Sequence, residues 1–187
     1  MNTLWRKWTS WPYFKHALIG VLVGGELTHF TMEHIVAFRT AAGPSMLPTM
    51  SMHEYAIEEK IRHEWFPQKL QRGDMVTYRA PYHPNALVCK RIIGLPGDTI
   101  LIDPTTLPDP LSRAQSSNTR KEHVVIPKGH LWVQGDNAPA SRDSRMYGPI
   151  PIALITGRLI CGWGTLPGPI KFKWYRRPSP VSIFRPS

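Results

Sequence analysis

The chain has 187 residues with 42% hydrophobic content, enough for one domain with a core and not the composition of a disordered chain. Lys and Arg number 23 against 13 Asp and Glu, a formal net charge of +10. The basic residues lie in scattered pairs such as Lys90-Arg91 and Arg176-Arg177, with no long run, zinc-finger spacing or aromatic-interleaved motif, which argues against a nucleic-acid binder.

The N-terminal stretch carries Arg6, Lys7 and Lys15 but no acid, and crowds Trp5, Trp8, Trp11 and Tyr13 together. The apolar segment 14–30 follows, roughly 26 Å as a helix, the short end of a membrane span. Basic residues before it and aromatics at its entrance fit one anchoring helix with its N-terminus on the positive side. Glu26 and His29 are costly in lipid unless they lie near the far interface or face a partner. A helix lying on the membrane surface is the alternative.

From about residue 39, short apolar runs alternate with turn residues. Strands are predicted over 55–61, 75–80, 87–95, 99–102, 123–126, 131–134 and 154–162. Gly73-Asp74, Pro96-Gly97-Asp98, Lys128-Gly129 and Gly135-Asp136-Asn137 separate them. The pattern predicts a mainly β domain over 39–166, a polar loop insert near 104–122, and a basic, Pro-rich, poorly ordered tail over 167–187. An anchor over 1–38 precedes them. Two cysteines, Cys89 and Cys161, allow at most one disulfide. The eight histidines show neither H-E-x-x-H nor a Cys/His ligand spacing, so no metal or other cofactor is expected.

Three segments carry chemistry. In Gly43-Pro-Ser-Met-Leu-Pro-Thr-Met50, prolines stiffen the chain on both sides of Ser45, as a pre-ordered nucleophile requires. Alone, the segment also reads as an ordinary Pro-rich turn. In Leu87-Val-Cys-Lys-Arg-Ile-Ile-Gly-Leu-Pro-Gly-Asp98, a lysine interrupts an apolar strand. Alternation puts Val88, Lys90 and Ile92 on one face and turns Cys89 away. Burial there would lower the Lys90 pKa toward a neutral, proton-accepting amine; a snorkelling edge-strand lysine is the alternative. The third segment, Gly135 to Pro149, packs Asp136, Ser141, Asp143 and Arg145 into one loop. This is either an ordered polar network or an exposed hairpin with weak surface pairs.

Together these segments, with Gln71-Arg-Gly-Asp-Met-Val76 as a fourth, occur in the order found in type I signal peptidases, serine–lysine peptidases of LexA-like β fold. The chain resembles that family from about Ala41 to Gly162. The resemblance implies Ser45 as nucleophile and Lys90 as general base, with Ser141 hydrogen-bonding and orienting the lysine. It makes Asp143 and Arg145 the ion pair that supports the loop. Gly43 stands where many bacterial members have an oxyanion-hole hydroxyl, so backbone N–H groups, Ser45 first, would hold the oxyanion.

Tyr147-Gly-Pro-Ile-Pro151 after an intact Asp-Ser-Arg resembles the mitochondrial branch of the family. That implies an inner-membrane location, a catalytic domain facing the intermembrane space, precursor polypeptides as substrates and a second peptidase subunit as partner. A small bacterial-type signal peptidase, a non-catalytic membrane subunit of the same fold and a LexA-type repressor are the competing readings.

Overall fold

A computed structural model describes residues 11–61, 66, 69–102, 122–164 and 172–175. The chain divides into two compact units at Val36/Ala37.

Among the described residues the first unit consists mainly of one α-helix, α1, Trp11–His34, of 24 residues. Its hydroxyls are satisfied within the helix: Thr28 Oγ1 donates to the Gly24 carbonyl at 2.8 Å and Thr31 Oγ1 to the Leu27 carbonyl at 2.7 Å. The helix expected over 14–30 is therefore present and longer than expected, but its apolarity falls short. No helix among the described residues is long and apolar enough to cross a membrane. Three glycines (Gly20, Gly24, Gly25), together with Glu26, Thr28 and His29, dilute the hydrophobic run.

The second unit is mainly β. Its strands are β1 Val36–Ala42, β2 His53–Glu59, β3 Met75–Ala80, β4 His83–Gly94, β5 Thr99–Ile102, β6 Glu122–Val125, β7 His130–Gln134, β8 Ile150–Pro151, β9 Ile155–Gly164 and β10 Phe172–Trp174. One sheet runs β1-β2-β9-β3-β4-β7-β8, with β10 also paired to β9; β5 and β6 form a separate two-stranded ribbon. The expected strands 75–80 and 99–102 match their observed limits, and the others shift by a few residues at their ends. The insert expected over 104–122 lies outside the described residues except for Glu122.

Three strands were not read from the sequence: β1, β8 and β10. The last corrects part of the expected tail. Phe172 pairs with Trp163 and Trp174 with Cys161, and the Tyr175 hydroxyl donates to Glu54 Oε1 at 2.7 Å. A Cβ on Gly162 would lie 2.0 Å from that hydroxyl, so glycine is what lets the C-terminal strand close down. The rest of the tail lies outside the described residues.

Two apolar clusters pack the sheet. Leu70, Val76, Tyr78, Ile92, Leu131 and Val133 belong to the larger. Met46, Met50, Ala56, Met75 and Leu159 form the other, and through Met46 and Met50 it grips the turn that carries Ser45.

Candidate active site

The Ser45 turn is built by glycine and proline. Gly43 has φ +122, which side-chain-bearing residues rarely adopt, and its N–H donates to the Met52 carbonyl at 2.9 Å. Pro44 then opens a 3-10 turn over Pro44–Met46, where its fixed φ is pre-set and its missing N–H costs nothing. Met46 and Met50 are buried, and Met50 N–H closes onto the Met46 carbonyl at 2.9 Å. Ser45 is left half-buried between two anchored neighbours.

Lys90 comes from β4, in the interior of the sheet. Val76 of β3 is its cross-strand partner, while Val88 and Ile92 flank it along the strand. Lys90 is only 4% exposed, and its Nζ lies 2.7 Å from Ser45 Oγ, hydrogen-bonded to it. Burial dominates its electrostatics and lowers its pKa below the ordinary lysine value. Cys89, Asp143 and Asp136 oppose the shift, and Arg145 adds to it. The alternation argument held for Val88 and Ile92. Cys89 nonetheless lines the same cleft as Lys90, its Sγ 4.0 Å from Met50 Sδ, and both cysteines are free.

The third segment is an ordered network, not an exposed hairpin. Asp143 is fully buried at the N-terminus of the short helix α2, Ser144–Tyr147. Arg145 grips it with a fork, Nε to Oδ1 at 2.9 Å and Nη2 to Oδ2 at 2.8 Å. Gly135 N–H and the Ser141 hydroxyl also donate to Oδ2, at 2.9 and 2.7 Å. Burial pushes the Asp143 carboxyl up, but these donors, Arg145 foremost, outweigh it and hold it below the usual range. The resemblance implied a Ser141–Lys90 hydrogen bond. Here the Ser141 proton goes to Asp143, two residues away and the stronger, ionised acceptor.

Other residues of this loop act as a strap on the Ser45 turn, a role sequence reasoning missed. Asn137 N–H donates to the Ser45 carbonyl and Asn137 Nδ2 to the Pro44 carbonyl, each at 3.0 Å. Asp136 receives a fork from Arg91, at 2.8 and 2.6 Å, and Arg91 also donates to the Gly73 carbonyl at 2.8 Å. The strap works only because residue 135 is glycine: a Cβ there would lie 2.2 Å from Ser141 Oγ and 2.5 Å from the Ser45 carbonyl oxygen. Gly135→Ala is therefore expected to lower the melting temperature, since overpacking costs roughly 1–3 kcal/mol. It should also cut the peptide cleavage that the motif resemblance implies by about 10²-fold, by displacing Ser45. A thermal melt beside a cleavage assay checks this, and a wild-type rate in the variant would show that the strap does not position the serine.

A cleft of about 160 Å³ opens in front of Ser45 and Lys90, bounded by Arg39, Ala41, Met46 and Leu87 among others. A buried amine of lowered pKa touching a hydroxyl at the mouth of a cleft can activate that hydroxyl as a nucleophile.

The model of the family described as "Signal peptidase, peptidase S26" matches residues 11–163. The mitochondrial inner membrane protease subunit 1 of Homo sapiens is 39% identical over 135 residues, covering 72% of this chain and 74% of that protein. Its counterpart in Schizosaccharomyces pombe is 39% identical over 143 residues, covering 76% and 82%. The mitochondrial inner membrane protease subunit 2 of Saccharomyces cerevisiae is 33% identical over 148 residues, covering 71% and 74%. With the Ser45 and Lys90 segments lining one cleft and a family match spanning most of its length, this chain belongs to the signal peptidase family, peptidase S26.

Proposed function

We propose that this chain is a serine endopeptidase of the mitochondrial inner membrane that removes sorting sequences from precursor proteins through a Ser45–Lys90 pair. The observation that carries the reading is the 2.7 Å contact between Ser45 Oγ and a buried lysine of lowered pKa. Neutral Lys90 takes the hydroxyl proton as Ser45 Oγ attacks the scissile carbonyl, and Ser45 N–H holds the oxyanion. Lys90 then gives the proton to the leaving amine. A water, activated by the same amine, hydrolyses the acyl-enzyme. Ser141 supports the pair indirectly: its hydroxyl, donating to Asp143, helps hold the loop whose Asn137 fixes the Ser45 turn. Asp143, Arg145 and Gly43 shape the backbone around them.

The inner-membrane assignment follows the relatives, which are named as mitochondrial inner membrane protease subunits. Two differently numbered subunits from Saccharomyces cerevisiae both resemble this chain, which favours a hetero-oligomer with a second subunit of the same family. We assign α1 as the membrane anchor. Leu18, Ile19, Val21, Leu22, Val23, Leu27 and Phe30 are all exposed on it, and Arg6 and Lys7 precede it, which favours an orientation with the β domain in the intermembrane space. Alkaline carbonate extraction is expected to leave the protein in the membrane pellet, whereas release into the supernatant would make α1 a surface helix. The function itself is tested by precursor cleavage with the detergent-purified protein, alone and with the second subunit, against Ser45→Ala. A single cut in the precursor that persists in chelator is the expected result, and no cut under either condition would overturn the reading.

A further inference from the structure

The part of the cleft lined by Arg39, Ala41 and Thr77 backs onto a side chain that the proton-transfer machinery does not use. Glu58, on β2, is fully buried, yet it bears a carboxylate. Arg39 of β1 donates to it through Nε, and the hydroxyls of Thr77 and Thr156 donate to its other oxygen. A Cβ on Gly157 would lie 2.4 Å from Glu58 Cγ, so the glycine makes room for this side chain. The carboxylate is thus held by three donors, and it fixes Arg39 in turn.

Arg39 is more than a counter-ion. Its side chain is 32% exposed and, with Ala41 and Thr77, lines the same cleft as Ser45 and Lys90. A guanidinium has five N–H donors, and among the described residues Arg39 commits only Nε. Ala41, on the same face of β1, is too small to cover the remaining donors. We infer that this part of the cleft is a polar subsite in which Arg39, held by Glu58, determines specificity by donating to a neutral hydrogen-bond acceptor on a substrate side chain.

The chemistry selects among side chains. An apolar group in this subsite strips water from the free N–H donors and gives nothing back. A carboxylate gains the guanidinium but meets the charge of Glu58 behind it. An amide or hydroxyl oxygen gains the donors without that repulsion. Asn, Gln, Ser and Thr are therefore the side chains that fit. Arg39 lies four residues before Gly43 along extended backbone, about 13 Å at ~3.3 Å per residue. A substrate strand running beside β1 therefore presents to Arg39 a residue about two to four positions from the cut, not the one at the cut.

The inference rests on the peptidase reading, and its test separates the two. Peptides spanning a cleaved precursor site are varied one position at a time between Asn and its near-isostere Leu, and kcat/KM is measured for each. In the wild type, one position away from the cut should favour Asn over Leu by about tenfold or more. That ratio should fall toward one in the double variant Arg39→Met/Glu58→Gln, which removes the pair together and strands no buried charge. It should fall in part in Arg39→Lys, which keeps a positive charge beside Glu58 but loses the planar set of guanidinium donors. Because each ratio is taken within one enzyme preparation, a partly unfolded variant does not distort it. A wild type that cleaves but shows no such preference at any position overturns the inference alone, as does a ratio unchanged in both variants. A wild type that cleaves no peptide or precursor overturns the peptidase reading and this inference with it.

Discussion

Ser45→Ala should abolish precursor cleavage, with kcat falling by at least about 10⁴-fold, while the β domain stays folded. Removal of the attacking atom of a nucleophile–base pair disables the unit as a whole, and only binding and oxyanion stabilisation remain. The fold survives because what holds the turn is elsewhere: Gly43, Pro44, buried Met46 and Met50, and the Asn137 bonds to two backbone carbonyls, none of which uses the Ser45 hydroxyl. The local cost is the lost partner of Lys90 Nζ, about 1–3 kcal/mol for a buried polar group left unpaired. A modest drop in melting temperature with a lost rate is therefore the expected signature, read by circular dichroism and precursor cleavage on the same preparation. Normal processing by purified Ser45→Ala would remove Ser45 from the mechanism.

The sequence made Ser45 and Lys90 legible because each is a local anomaly: a serine bracketed by prolines, and a charge inside an apolar strand. The structure brings them together across 45 positions of chain, a contact that only the family motifs anticipated. What stayed illegible is long-range or runs against composition. β1 follows α1 with no glycine or proline between them, so its start was not marked. β10 lies in a stretch whose Pro, Arg and Ser content argues against a strand, and it forms because β9 offers it an edge and Gly162 a gap.

β2 reverses the usual rule. In His53–Glu59 the buried positions are Glu54, Ala56 and Glu58, while Tyr55 is exposed. Carboxylates hold the inward face there because their partners offset the desolvation: the nearby Ser51 N–H and the distant Tyr175 for Glu54, and Arg39, Thr77 and Thr156, all distant in sequence, for Glu58. No local pattern announces such a pairing. Gly135 and Asn137 were visible as turn residues, but their hold on the Ser45 turn depends on a loop that returns from the far end of β7.

Lys90→Arg should be as inactive as removal of the lysine side chain function altogether, although it preserves the positive charge. A general base must shed its proton at working pH. An unperturbed lysine titrates near about 10.4 and is almost wholly charged near neutrality. In the folded protein the surroundings of Lys90 disfavour the charged form. Burial between Val76, Val88 and Ile92 is the main cause, and the nearby acidic groups and Cys89 only partly offset it. The amine therefore reaches its neutral form at lower pH than a free lysine does. The sign for activity follows: protonated Lys90 cannot accept the Ser45 proton, so kcat/KM rises with pH along a limb that lies below about 10.4. Arginine cannot follow that titration, because its guanidinium stays protonated in proteins. Its larger head would also have to fit where Nζ now sits 2.7 Å from Ser45 Oγ. The expected loss for Lys90→Arg is about 10³-fold or more at every pH, with the rising limb gone. Lys90→Met, which keeps the stem without the amine, should match it. The decisive measurement is kcat/KM against pH for the three proteins. Substantial activity in Lys90→Arg would mean that positive charge beside Ser45, and not a proton-accepting amine, drives the reaction, and a wild-type profile flat across the neutral range and up to pH about 10 would separate the rate from the ionisation of Lys90.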